Sequence, residues 1–230
     1  MKKKILNFLY HSAIIKKLIP TLVYCLQKEL ANCQTVLDLG CGADSPVQFC
    51  KNVRYKVGVE PFKPYLDQAK KKKIHHHYFN NKIEQLKLPK KSFDAVIIID
   101  VLEHLPKKAG LEILKKTQNW ARKKVIVTTP NGFVDQKEID SNPHQKHLSG
   151  WTNKEMNKLG FKTYGLAGIK WLRTERVEDT ANSDLTSSIR FQPKFFWFII
   201  ASLSQIFTYR FPKLAFEFFC VKRLKNKPTK

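Results

Sequence analysis

At residues 36–45 the sequence VLDLGCGADS runs an apolar stretch directly into Gly40-x-Gly42. Glycines at such a junction permit positive φ and let backbone amides come close to a ligand, and a helix amino terminus is expected just past the turn. Twenty-two residues after Asp38 (60 − 38), a second apolar run ends in Gly58-Val59-Glu60. That spacing sets a carboxylate where a bound nucleoside would present its two ribose hydroxyls.

The acids around the glycines discriminate between nucleoside cofactors. Asp38 and Asp44 bracket the turn, and two carboxylates would repel a pyrophosphate while attracting a ligand that carries an ammonium and a sulfonium. S-adenosylmethionine is such a ligand. The chain has no GxxxxGK[ST] run, so a loop that grips ATP or GTP phosphates is not supported.

These residues need a sheet to hold them. Thr35–Leu39, Lys56–Val59, Ile74–Phe79, Ala95–Ile99 and Val125–Thr128 read as strands, and the last two are continuous apolar runs suited to a parallel sheet covered on both faces. Helices fit between them at Pro64–Lys73 and Pro106–Arg122, each with proline in its first turn. Thr152 and Glu155 form a capping box for a short helix ending near Gly160, and Phe161–Tyr164 and Ala215–Val221 read as two last strands. The alternation is that of an α/β fold.

Four segments, VLDLGCG at 36–42, GVEP at 58–61, SFDAVIIIDVLEHL at 92–105 and KKVIVTTPNG at 123–132, resemble the class I S-adenosylmethionine-dependent methyltransferases, in particular the type 11 methyltransferase domain family. The resemblance covers roughly residues 33–165. It implies a Rossmann-like, mostly parallel seven-stranded sheet with helices on both faces and an antiparallel last strand. The expected organisation is an amphipathic helical segment at 1–32 and a methyltransferase domain at 33–230, with a core at 33–165, an aromatic helical insertion near 190–212 and a last strand at 215–222.

Carried over residue by residue, the resemblance has Gly40, Cys41 and Gly42 cradling the methionine part, with Asp38 ordering that loop or meeting the ammonium. Glu60 would hold the ribose hydroxyls, Asp100 would sit at the methionine end, and Leu102–His104 would floor the substrate cavity. This chain departs from the family twice: Asp44 stands where a third glycine is common, and Asn81-Lys82-Ile83 replaces the usual acid near the adenine amino group, leaving Asn81 to accept that hydrogen bond.

Methyl transfer is an in-line displacement from an activated leaving group, so the protein mainly aligns the acceptor and excludes water. Where a proton must leave, His104, His144 and His147 are the candidate bases. Each has a structural alternative: His104 packing under the cofactor, the other two bonding carbonyls within a lid. His144-x-x-His147 lacks helical spacing and further ligands, so no metal is expected there. The run His75–His77 reads as surface and core filler in a strand. The long segment 131–151 follows the fifth strand at the ligand-binding edge, making Asn131, His144, Gln145, His147 and Trp151 substrate-side candidates.

Composition bounds the partners. The 230 residues hold 43% hydrophobic side chains, which excludes a disordered or collagenous chain, and the 42 Lys+Arg against 19 Asp+Glu leave a net charge of +23 that reads either as attraction to something anionic or as solvated lysine-rich faces. Five cysteines with no CxxC spacing point to a reducing, cytoplasmic setting. FFWFIIASLSQIFTY at 195–209, between Lys194 and Arg210, is too short to span a bilayer. It reads either as a helix inserted between the last two strands that covers the active site or packs on the core, or as an interfacial segment of a peripheral membrane protein.

A small-molecule, lipid or glycan acceptor leads on these grounds. A nucleic-acid methyltransferase rests on charge alone and lacks the expected [DNS]PP[FYW] loop. A non-catalytic basic protein that binds a membrane or a partner on the same fold is the third reading.

Overall fold

Continuous apolar sequence dictates the centre of the molecule. The computed structural model describes residues 19–136, 138–174 and 186–224. Its strands are β1 (Thr35–Leu39), β2 (Tyr55–Val59), β3 (His77–Phe79), β4 (Phe93–Ile99), β5 (Ala121–Pro130), β6 (Lys162–Ile169) and β7 (Ala215–Arg223). They form one sheet in the order β3-β2-β1-β4-β5-β7-β6. Pairing is parallel from β3 through β5, whereas β7 runs antiparallel to both β5 and β6.

Side chains alternate across the strands. Leu37, Leu39, Val96 and Ile98 enter one apolar layer with Ile113 and Leu114 of helix α3 (Lys107–Trp120). Val36, Ala95 and Ile97 enter the opposite layer with Leu26 and the adjoining Leu30 of helix α1 (Leu22–Glu29). Helix α2 (Lys63–Lys71) joins β2 to β3, and α4 (Asn153–Lys158) opens on the Thr152/Glu155 capping box.

The late insertion is helix α5 (Lys194–Thr208), seated on β6. Gly165 and Gly168 make this seat possible: a Cβ on Gly165 would meet Thr208 O at 2.2 Å, and one on Gly168, at φ +75°, would meet Ala201 O at 2.0 Å. Buried Gln205 completes it by accepting from Gly168 N (2.8 Å) and donating to Gly165 O (2.8 Å) and Pro20 O (3.1 Å). Among the described residues no helix is long and apolar enough to cross a membrane.

Several local expectations are corrected. The glycine turn leads into a single 3₁₀ turn, Pro46–Phe49, instead of a helix. Ser45 caps it and Pro46 starts it, but Cys50 leaves helical geometry, and Asn52 bonds Leu30 O (2.6 Å), turning the chain back toward β2. β3 is shorter than expected because His75 N is taken by the Tyr78 hydroxyl and Lys56 N by the His76 ring, so regular pairing with β2 starts at His77. β6 runs five residues past Tyr164, through the two glycines that α5 requires. Residues 1–18 of the expected amino-terminal helical segment lie outside the described residues.

Candidate active site

β1, β2 and β4 end side by side and bring three sequence-distant turns to one edge. Gly40 N and Cys41 N donate to Val59 O (2.8 and 3.0 Å), which ties the glycine turn to the end of β2. Gly40 has φ +68°, and a Cβ there would meet Val101 Cγ2 at 2.3 Å, so only glycine fits. Gly42, at φ +55°, faces open space within 4 Å of its missing Cβ. A side chain at Gly42 would fill the cleft floor that a cofactor must approach.

Glu60 is the buried acid of this cleft. Its Oε2 accepts from Gly42 N (3.0 Å) and its Oε1 from Phe62 N (2.9 Å). Burial raises its pKa above the usual carboxylate value, with the two amides opposing. A carboxylate offers about four lone-pair positions, so acceptor capacity remains for ribose hydroxyls. Asn80, unremarked in the sequence, steadies the turn by donating to Glu60 O and Pro61 O (both 2.9 Å).

Asp38 is held from beneath. Its Oδ2 lies 2.8 Å from His75 Nε2, with the two side chains 1% and 0% exposed. Asp38 pairs in register with Gly58 of β2, and a Cβ on Gly58 would meet both Cys41 Sγ and His75 Nδ1 at 2.9 Å. Gly58 therefore clears the path by which His75 crosses β2 to Asp38. The carboxylate orders the loop from below and does not line the cleft. His75, read from sequence as filler, is the residue that sequence reasoning missed; a glycine inside a strand opposite an acid was the available signal.

The β4 corner holds Asp100 at φ +52°. Thr128 fixes it there: Asp100 N donates to Thr128 Oγ1 (3.0 Å), whose hydroxyl donates to Asp100 Oδ1 (2.6 Å). A non-glycine residue with positive φ is a strained, over-determined conformation of the kind found at functional sites. The chain then makes a 3₁₀ turn at Leu102–His104, and residues 131–136 and 138–150 close over it. Leu148 N and Ser149 N donate to Glu103 O (2.8 and 3.0 Å), and Tyr65 donates to Asp140 (2.6 Å), so the cover is tied to both sides of the cleft.

Two pockets meet at this corner. The first is walled by Gly40, Gly42, Glu60, Asp100, His104 and Ile83, with His144 and Gln145 in the cover. The second lies behind it and includes Glu103, His147, Arg173 and Glu217. Asp100, His104 and Gln145 line both. His104 Nδ1 lies 3.2 Å from Lys146 O and His147 Nδ1 lies 2.6 Å from Val134 O, with the rings 4.7 Å apart.

Burial, the neighbouring His147 and His144 push the pKa of His104 down to about 4, and burial lowers His147 as well. A neutral imidazole of such low basicity is a weak proton acceptor near pH 7. Burial, then Asp100, raise the Glu103 carboxyl well above its usual range, and its Oε2 has no hydrogen-bond partner among the described residues.

Other sequence candidates sit elsewhere. Cys41 packs buried behind the loop, and burial raises its thiol far above reactive values. Leu102 is in the core, offering its carbonyl to Trp151 Nε1 (3.4 Å). Trp151 is corrected from substrate wall to core: it is fully buried against Gly110, under Lys107 at 3.7 Å from its ring. Asn131 bonds Lys213 O and Ala215 O. Asn81 is exposed outside the cleft wall, where Lys82, Ile83 and Glu84 stand instead. Asp44 turns outward to Gln48 (2.7 Å) and Lys72 (3.2 Å).

Residues 37–124 match the family model of the methyltransferase domain. No curated protein matches the chain. Among solved structures, the PH0226 protein from Pyrococcus horikoshii OT3 aligns at 16% identity over 94% of this chain and 93% of its own, with a TM-score of 0.54. The methyltransferase domain of bacterial-CtHen1-C aligns at 19% identity over 90% and 96%, with a TM-score of 0.53. A SAM-dependent methyltransferase from Archaeoglobus fulgidus aligns at 15% identity over 92% and 98%, with a TM-score of 0.51. At such identities the likeness establishes the sheet and its crossovers.

Proposed function

We propose, from the premise that residues 37–124 are a methyltransferase domain and the chain an S-adenosylmethionine-dependent methyltransferase, that it methylates a small-molecule, lipid or glycan-type acceptor held in the second pocket. The observation that carries this reading is the shared wall of Asp100, His104 and Gln145 between the cleft and that pocket. When bound, S-adenosylmethionine supplies a methyl group on a sulfonium that is already a good leaving group.

The protein's part is placement. Gly40 and Gly42 present a backbone cradle, Glu60 accepts the ribose hydroxyls, and Ile83 with its neighbours offers an adenine wall. Asp100, fixed by Thr128, stands at the reacting end as a carboxylate that favours positive charge. The tied cover of 131–136 and 138–150 excludes water. With His104 and His147 both depressed in pKa, a general base is not their best-supported role.

The acceptor's setting is suggested by α5. Phe196, Ile199, Leu203 and Phe207 share an exposed stripe at helical spacing, extended by Phe211 and Leu214 and rimmed by Arg190, Lys194, Arg210 and Lys213. An apolar face with a basic rim suits the surface of an anionic membrane, which favours a lipid or lipid-linked acceptor over a nucleic acid. Five free cysteines fit a cytoplasmic location.

Calorimetric titration with S-adenosylmethionine, S-adenosylhomocysteine and NAD tests the cofactor site. The first two are expected to saturate one site and NAD to give no heat; Glu60→Ala should weaken the adenosyl ligands by about 1.5 to 3 kcal/mol, the range for hydrogen bonds to a charged group. Unchanged affinity in the folded variant would remove the ribose assignment. Cosedimentation with phosphatidylglycerol vesicles, lost in Phe196→Asp and absent with phosphatidylcholine, tests the membrane reading.

A further inference from the structure

We infer that Glu103, His104 and His147 form a divalent-cation site in the acceptor pocket. One ligand-type atom from each lies within 4.8 Å of the others. At metal–ligand bonds of about 2.1 Å, neighbouring donors stand about 3 to 4 Å apart, so small side-chain rotations close the site.

Three observations converge on it. Glu103 is 2% exposed, and its Oε2 lies near the Thr129 hydroxyl without completing a hydrogen bond to it or to another described group, although a buried polar atom left so costs about 1 to 3 kcal/mol. Both imidazoles turn Nδ1 onto a backbone carbonyl, Lys146 O for His104 and Val134 O for His147. A ring nitrogen facing a carbonyl must carry the proton, which leaves Nε2 of each with its lone pair, the second-shell arrangement found behind metal-ligating histidines. Finally, in a chain of net charge +23, this pocket collects the carboxylates of Asp100, Glu103 and Glu217 with Arg173 as its cation.

In sequence, His147 stands beside His144 alone, which is too few ligands for a metal. The fold instead sets His147 against a pair 43 residues upstream (147 − 104). Two imidazoles and one carboxylate suit Zn²⁺, Mn²⁺, Co²⁺ or Fe²⁺ better than Ca²⁺ or Mg²⁺. Three protein ligands leave positions open toward the pocket, where the cation would hold an acceptor oxygen.

Resting on the methyl-transfer reading, this deepens it to an acceptor with a hydroxyl that can ligate a metal, preferably beside a second oxygen. The bound cation lowers the hydroxyl's pKa, its proton passes to pocket water, and the electron pair stays on the oxygen facing the shared wall. No histidine base is then required.

The test is titration of chelator-treated protein with Co²⁺, followed by visible absorption and metal analysis, alongside S-adenosylhomocysteine calorimetry. One equivalent of Co²⁺ with a nitrogen-and-oxygen ligand band is expected, weakened at least tenfold in Glu103→Gln and in His147→Asn while S-adenosylhomocysteine affinity holds. Glu103→Gln preserves side-chain shape, so it carries the test alone if His147→Asn does not fold. Wild-type protein that binds S-adenosylhomocysteine but no stoichiometric Co²⁺, Mn²⁺ or Zn²⁺ overturns the inference and leaves methyl transfer standing. Equal Co²⁺ uptake by the variants, pointing to His76 or His77 at the surface, also overturns it. Binding of neither ligand sinks both readings.

Discussion

Replacing His75 with alanine should unfold the cofactor loop's foundation without touching the cleft. His75 and Asp38 are buried together, and Nε2 reaches Oδ2 at 2.8 Å. Removing the imidazole leaves the Asp38 carboxylate with no compensating partner in an apolar layer, and a buried pair broken on one side costs about 3 to 5 kcal/mol. That is a large share of the roughly 5 to 15 kcal/mol available to a folded domain.

Urea unfolding of wild type, His75→Ala, Asp38→Asn and the double variant separates the terms. Neutralising Asp38 should recover part of the loss, giving a coupling energy of about 1 to 3 kcal/mol. Gly58→Ala should act on the same pair, since its Cβ would stand 2.9 Å from His75 Nδ1 and from Cys41 Sγ. A His75→Ala cost below about 1 kcal/mol, additive with Asp38→Asn, would refute the pairing as the support of the loop.

Three further outcomes are expected. Gln205→Leu strands Gly168 N and Gly165 O beneath α5 and should cost about 2 to 4 kcal/mol by urea unfolding, two unmet buried groups at about 1 to 2 kcal/mol each; a loss under 1 kcal/mol contradicts the seat. Gly168→Ala, which combines φ +75° with a Cβ 2.0 Å from Ala201 O, should lower Tm more than Gly132→Ala, where φ is +88° but the nearest atom is the Lys170 Nζ tip at 3.3 Å; equal shifts would assign the effect to φ alone. Asp94 is buried, which raises its pKa, but Gln34 N and Arg122 more than offset this and hold it below its usual 3.8. Its stabilising contribution is therefore complete above that value and lost as pH falls through the lower folded one, so the stability gap between wild type and Asp94→Asn should close in acid. A gap independent of pH would remove the ion pair from the explanation.

What the sequence disclosed follows from how local each signal is. Gly40, Gly42 and Glu60 were legible because a strand, a turn and a second strand lie within 25 residues and their spacing is set by the crossover. The apolar runs of β4 and β5 announced a doubly covered sheet, and Thr152 with Glu155 announced a helix start. The Asp38–His75 pair depends instead on strand register across Gly58, and the Glu103, His104 and His147 group depends on how 138–150 folds back beside the end of β4. Neither register nor a cover's path is written in local spacing. The helix expected after Gly42 stops after one 3₁₀ turn because the chain leaves helical geometry at Cys50 and Asn52 ties it back to Leu30 O, whereas the need for Gly165 and Gly168 arises only from the close approach of α5, which no local spacing records.

A crystal structure of the complex with S-adenosylhomocysteine tests the division into cofactor cleft and acceptor pocket most directly. The ribose hydroxyls are expected on Glu60, the amino-acid end over Gly40 and Gly42, and the sulfur facing the wall formed by Asp100 and His104. A nucleoside bound away from Glu60, or a sulfur turned from that wall, would contradict methyl delivery into the second pocket.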